Sequence, residues 1–193
     1  MSIITFVQVL GQATNNKTEQ QAYELIQKEG QIELRYYPPA IYASVDVKGN
    51  YRESSGNGFR QLADYIFGSN QGNRKIAMTA PVRMEEKSDG YIMSFVIPSE
   101  WEMEQLPRPD NSEIDLTETG ERYTASITFG GWASDEKIDY YRKELFDYLN
   151  RKGIMYDPRF EYLGYNPPFQ LTNRRNEIMV EVFEIPKPVT SDE

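Results

Sequence analysis

Two strand, glycine-turn, helix, strand units recur about 80 residues apart in this chain, and that recurrence narrows the available folds more than any other feature. In the first unit Ile41, Ala43, Val45 and Val47 alternate with Tyr42, Ser44, Asp46 and Lys48, the period of a half-buried strand, until Gly49 and Asn50 end it. Phe59, Leu62, Ala63 and Ile66 then follow the spacing of an amphipathic helix of about two to three turns. Ser55 or Asn57 suits its N-cap, and Gly68 supplies the left-handed residue that stops it. In the second unit Tyr123, Ala125, Ile127 and Phe129 alternate, Gly130 and Gly131 turn the chain, and a helix starts at Ser134. Ile138, Tyr141, Leu145, Tyr148 and Leu149 form its apolar stripe. Asp135 and Glu136 in the first turn and Arg151 and Lys152 in the last complement the helix dipole before Gly153 ends it. A tandem duplication of this kind predicts an α+β fold: strands combined into a curved or barrel-like antiparallel sheet, with both helices packed on it.

The remaining elements fit around these units. Ile32, Leu34 and Tyr36 face one way and Glu33, Arg35 and Tyr37 the other; Pro38 and Pro39 then turn the chain, so this strand and the next are expected to pair as a hairpin. After a polar loop over 69–74, Ile76, Ala77 and Met78 return to the interior before Pro81 breaks the run. Val82 and Met84 continue to a turn at Ser88, Asp89 and Gly90, beyond which Tyr91, Met93, Phe95 and Ile97 alternate. The acidic connection over 99–119 reads as a solvated surface with a short strand from Ile114 to Leu116. Phe160 to Gly164 and Asn176 to Glu184 give the closing strands, the latter with Ile178, Val180 and Val182 on one face and Glu177, Met179 and Glu181 on the other. The organisation expected is an arm over 1–20, a single domain over 21–185 and a tail over 186–193.

The composition excludes several chemistries. A net charge of −9, from 30 acidic against 21 basic residues, opposes binding to nucleic-acid phosphates, and Arg174 with Arg175 is too small a basic patch to override it. The sequence has no cysteine, which removes disulfides, thiolate nucleophiles and cysteine zinc sites, and no histidine, which removes the commonest general base and metal ligand. No stretch approaches the length of a bilayer-spanning helix, so a soluble, cytoplasmic protein is expected. With 14 tyrosines and 9 phenylalanines, the core and any pocket should be aromatic-rich.

The helix ending YIFGSN followed by KIAMTAPV, together with YELIQKEGQIELRYYPPAIYASVDVKG from Tyr23 to Gly49 and NRRNEIMVEVFE from Asn173 to Glu184, closely resembles the SOUL haem-binding protein family. That resemblance implies a distorted antiparallel β-barrel flanked by two main helices, similar to the GyrI-like effector-binding fold. It also implies a haem or other tetrapyrrole held in a shallow hydrophobic groove beside the first helix, near the loop before the last strand. Carried onto this chain, the groove uses Phe59, Arg60, Leu62, Ala63, Ile66, Phe67, Met78, Tyr165 and Phe169, with Arg60, Arg74, Lys75, Arg174 and Arg175 as partners for the propionates. Some members of the family use a histidine on iron; this sequence has none, so the groove is expected to work without histidine ligation. Tyr or Met can still hold the iron, or no protein ligand at all: Met78 is an available thioether that reads more plainly as core, and Tyr65, placed on the outer side of the helix, and Tyr165 in the loop read more plainly as packing or solvent-facing aromatics.

Two other readings stand beside this one. A GyrI-like small-molecule or hydrolase-like site would use Glu177, although a solvent-facing or ion-paired role with Arg174 or Arg175 is the plainer reading of that residue. A protein-interaction module without haem would use the acidic connection and the YNPPF loop from Tyr165 to Phe169. No nucleophile elbow, Walker loop or dinucleotide fingerprint is present, and a non-enzymatic binder is expected.

Overall fold

The computed structural model describes residues 18–167 and 170–183. In chain order its strands are β1 (Glu19–Gln20), β2 (Glu24–Glu29), β3 (Ile32–Tyr37), β4 (Ala40–Lys48), β5 (Thr79–Ala80), β6 (Val82–Lys87), β7 (Gly90–Val96), β8 (Ile114–Thr119), β9 (Arg122–Gly130), β10 (Tyr156–Gly164) and β11 (Arg175–Val182). Helix α1 (Tyr51–Phe67) falls between β4 and β5, and α2 (Asp135–Lys152) between β9 and β10. Nine strands make one antiparallel sheet in the order β2-β3-β9-β11-β10-β6-β7-β4-β8, while β1 pairs with β5 in parallel. The arrangement about the central β10-β6 pair is two-fold: β9-β11-β10 on one side mirrors β4-β7-β6 on the other, as a duplication requires. Each unit also passes its leading strand to its partner, β3 to β9 and β8 to β4.

This exchange overturns the expected hairpin of β3 and β4. The two strands are joined only by Pro38 and Pro39, yet they stand six places apart in the sheet. Neither proline carries an N–H, and two fixed φ angles in succession cannot make the tight turn of a two-residue hairpin. In a flat sheet the two strands would lie about 29 Å apart, whereas three Cα steps reach at most about 11 Å. The sheet therefore curls until its ends approach. It does not close: β2 and β8 remain as edges, so the expected barrel is a strongly curved open sheet.

One face of that sheet carries the core. Ala43, Val45, Met84, Met93, Phe95, Ala125, Ile127, Phe160, Ile178 and Val180 are buried on it, and α1 and α2 cover them with Leu62, Tyr65, Ile66, Ile138, Leu145 and Leu149. Helix α1 is longer than its apolar spacing suggests, because its N-cap is Asn50 rather than Ser55 or Asn57. The Asn50 side chain accepts from the Glu53 N–H at 3.0 Å and the Glu53 carboxylate accepts from the Asn50 N–H, a reciprocal capping box. Within the helix Gly58 allows a close approach to Val47 and Met93. Tyr65 is fully buried, its hydroxyl donating to the Pro107 carbonyl at 3.0 Å, and not on the outer side of the helix. Helix α2 keeps its expected ends, with Ser134 as cap and Gly153 in the left-handed region at φ 66°.

The turn between β6 and β7 gives a first prediction. A Cβ on Gly90 would collide with the Val47 carbonyl oxygen and come 2.7 Å from the Lys48 Cα, both backbone atoms that cannot swing away. Gly90→Ala is expected to cost about 3 kcal/mol in a urea melt. Gly120→Ala, where nothing lies within 4 Å, should change stability by less than about 0.5 kcal/mol. Equal midpoints for the two variants would contradict this packing.

Candidate ligand groove and the buried polar face

Helix α1 has two unlike flanks. Gln61 and Asp64 look toward Asp110, Asn111 and Ile114 across a cleft of about 310 Å³, where the Asn111 side chain donates to Gln61. On the opposite flank Phe59, Ala63 and Phe67 recur every fourth residue and so line up along the helix. Phe59 packs edge-on against Phe95 with ring centroids 5.3 Å apart and is half-buried, whereas Phe67 is 64% exposed. Below the end of this stripe the chain returns through Ile76, whose N–H donates to the Ile66 carbonyl, and half-buried Met78 leads into Val82. Val82 pairs with Gly164, from which the loop before β11 departs. At its other end that loop delivers Arg174 close enough to Tyr51, in the first turn of α1, to oppose the burial that raises the Tyr51 pKa. The loop thus ends near the first turn of α1, and the α1 flank carries a strip of partly exposed apolar surface at Phe59 and Phe67.

Phe59, Ala63 and Phe67 share this flank, and Met78 is half-buried against the core two residues beyond Ile76, which bonds to Ile66. Leu62 and Ile66 lie beneath, buried in the core, where they support the helix. Phe169 lies outside the described residues. Of the five cations assigned to propionates, Arg60 and Lys75 are exposed and Arg174 is half-buried, and among the described residues none of the three makes an ion pair. Arg174 stacks over the Trp132 ring at 4.1 Å and donates to the carbonyls of Asn166, Pro167 and Gln170. Arg74 is held elsewhere: its guanidinium lies 4.4 Å over Trp101 and donates to the Gln105 carbonyl at 2.7 Å. Trp132, 52% exposed beside Arg174, was not singled out in sequence, because a lone tryptophan after a glycine turn carries no periodic signal.

Arg175 and Tyr165 sit on the other face of the sheet, with Glu177. Strand alternation sends Arg174 toward the helix side and Arg175 the opposite way. There Glu177 is fully buried and accepts six hydrogen bonds: two from Arg35 at 2.7 and 2.9 Å, two from Arg175 at 3.0 and 2.7 Å, one from Tyr165 at 2.9 Å and one from Thr128 at 3.1 Å. Burial alone would raise the Glu177 pKa, but the Arg35 and Arg175 guanidinium groups outweigh it and hold it at about 2. Tyr23 lies over the Arg35 guanidinium at 4.2 Å and against Tyr37. A second buried cluster joins Arg83 and Arg122 to Glu161, which is likewise brought down to about 2 by the two arginines against the burial that would raise it. Tyr37 on β3 pairs directly with Arg122 on the neighbouring β9, while Tyr42 on β4, six places from β3 in the sheet, also acts on Arg122 across the hollow, which the curl of the sheet permits.

Glu177 is therefore ion-paired with Arg175, as one sequence reading had it, but not with Arg174. Its main partner, Arg35, is 142 residues away in sequence and no local pattern marks it. With every lone-pair direction occupied and both cations fixed, this carboxylate is poorly suited to take a proton from a substrate.

A duplicated α+β fold with a curved antiparallel sheet and both helices on one face is the GyrI-like architecture. The EcmrR C-terminal domain superposes on it with a TM-score of 0.60 at 12% identity, over 80% of this chain and 98% of that domain, a likeness of fold alone. In sequence, residues 18–181 match the SOUL heme-binding protein family, and the chain belongs to that family. Heme-binding protein 2 of Homo sapiens is 33% identical over 158 residues, covering 77% of each chain. Heme-binding protein 1 of Xenopus laevis is 26% identical over 155 residues, covering 76% of this chain and 81% of its own. Among the described residues no helix is long and apolar enough to cross a membrane.

Proposed function

We propose that this protein binds haem or a related tetrapyrrole non-enzymatically on the α1 flank. The observation that carries this reading is the stripe of Phe59, Ala63 and Phe67 on one flank of α1, together with Arg60, Lys75 and Arg174, which make no ion pair among the described residues. A flat aromatic macrocycle with two carboxylates needs that combination: apolar area for its ring and free guanidinium or ammonium groups for its edge. Arg174, Arg60 and Lys75 serve the edge, while Arg175, committed to Glu177, serves the fold. Bound in this way, the ring gains most of its affinity from burial and ion pairing rather than from coordination, since the sequence offers neither histidine nor cysteine. The saturated Glu177 supports a binder over the GyrI-like hydrolase reading.

Hemin titration of the full chain, followed in the Soret region, tests this. A saturable one-to-one change is expected. Phe67→Glu places a carboxylate on exposed apolar surface without touching the core, so its melting temperature should match wild type while hemin affinity falls about 10-fold or more. Unchanged affinity in that variant, or a change that never saturates, would remove the α1 flank as the site.

A further inference from the structure

The loop before β11 is tied at both ends to the same buried carboxylate. Tyr165, its first residue, donates its hydroxyl to Glu177, and Arg175, the first residue of β11 where the loop ends, places two N–H groups on it. The Tyr165 N–H also donates to the Arg175 carbonyl and the Asn166 side chain accepts from the Arg175 N–H at 2.6 Å, which closes the loop at its base. Between those ties Arg174 gathers the Asn166, Pro167 and Gln170 carbonyls around its guanidinium and lies over Trp132. Arg174 and Arg175 are adjacent, so the face that holds Glu177 and the face that holds the groove are one residue apart along the backbone.

From this we infer that Glu177 and Tyr165 are positioning residues for the groove: from the opposite face of the sheet they fix the two ends of the loop before β11, and so set where the Arg174 guanidinium stands against Trp132. This rests on the groove reading for its ligand but not for its mechanics. A carboxylate with two fixed arginines supplies a rigid anchor, and Tyr165 converts that rigidity into the position of the first loop residue. Thr128 provides the contrast, since its hydroxyl also donates to Glu177 but comes from β9 and not from the loop.

Tyr165→Phe and Thr128→Val test the inference in a Trp101→Phe background, where Trp132 is the remaining tryptophan. Each removes one hydroxyl from Glu177. Tyr165→Phe is expected to shift Trp132 emission in the ligand-free protein, as the Arg174 stack loosens, and to weaken hemin binding roughly 3- to 10-fold. Thr128→Val should lower the urea midpoint yet leave both the emission and the affinity at the parent values. If the two variants behave alike in emission and affinity, the Glu177 cluster has only a structural role and the inference fails. A Tyr165→Phe emission shift in a protein that takes up no hemin would uphold the loop coupling and overturn the ligand reading instead.

Discussion

Replacing Arg35 by methionine is expected to cost about 3–5 kcal/mol of stability, the range for breaking a buried ion pair from one side, and to lower the melting temperature by about 10 °C. The size follows from the surroundings of the charge left behind. Glu177 is fully buried and Arg35 supplies its shortest bidentate contact, so the variant strands a carboxylate that Arg175, itself partly exposed, cannot fully compensate. If desolvation is the cause, the double variant Arg35→Met, Glu177→Leu should recover most of the loss, because removing both partners removes the unpaired charge. Thermal and urea melts of the two single variants and the double decide this. A single Arg35→Met close to wild type, or a double variant as unstable as the sum of the singles, would mean that the cluster is solvated and not the buried anchor described above.

The second large effect is acid instability. Glu177 and Glu161 are each held near 2 in the folded protein, against an unfolded value of about 4.3. Between those values the unfolded chain binds more protons than the folded one, so stability is fully present above pH ~4.3 and falls as the pH drops toward ~2. Each carboxylate contributes roughly 3 kcal/mol over that interval, and the two together approach the total stability of an ordinary domain. Glu85, whose carboxyl is raised by burial and by Glu161 across the β6-β10 pair, works weakly in the opposite sense. Urea midpoints should therefore be nearly level from pH 7 to 5 and drop steeply from pH 4 to 2.5. Because both clusters are buried, 0.5 M salt should alter this profile little. A flat profile to pH 2.5 would show that the two carboxylates are not depressed.

Much of the fold was legible because it is written in local periods. The alternation of Val45 and Val47, and of Ile178, Val180 and Val182, gave strands, and the Ser134 to Gly153 helix announced both of its ends. The failures were of two kinds. Asn50 reads as the end of a strand when it is also the start of a helix, since one residue serves both and the apolar spacing of α1 begins only at Phe59. Pro38 and Pro39 were read as a hairpin turn because chain neighbours usually pair; the exchange of leading strands between the two units is a tertiary choice with no local signal. The apolar face of α1 is visible in the spacing of Phe59, Leu62, Ala63 and Ile66, but that spacing marks the buried side of the helix and does not single out the exposed Phe67. The separation of Arg174 from Arg175 onto opposite faces followed from strand alternation, but their different fates did not. That difference depends on Arg35, which reaches Glu177 only because β3 crosses to the far unit.

The most direct measurement of the proposed groove is the location of bound hemin by amide NMR, using its paramagnetic iron to broaden nearby signals in the isotopically labelled full chain. The account predicts broadening along Phe59 to Phe67, at Met78 and through the 165–174 loop, with β2 and β8 at the sheet edges unaffected. Broadening centred instead on Tyr23, Tyr42 and Arg122 would place the ligand in the polar hollow of the sheet and contradict the account.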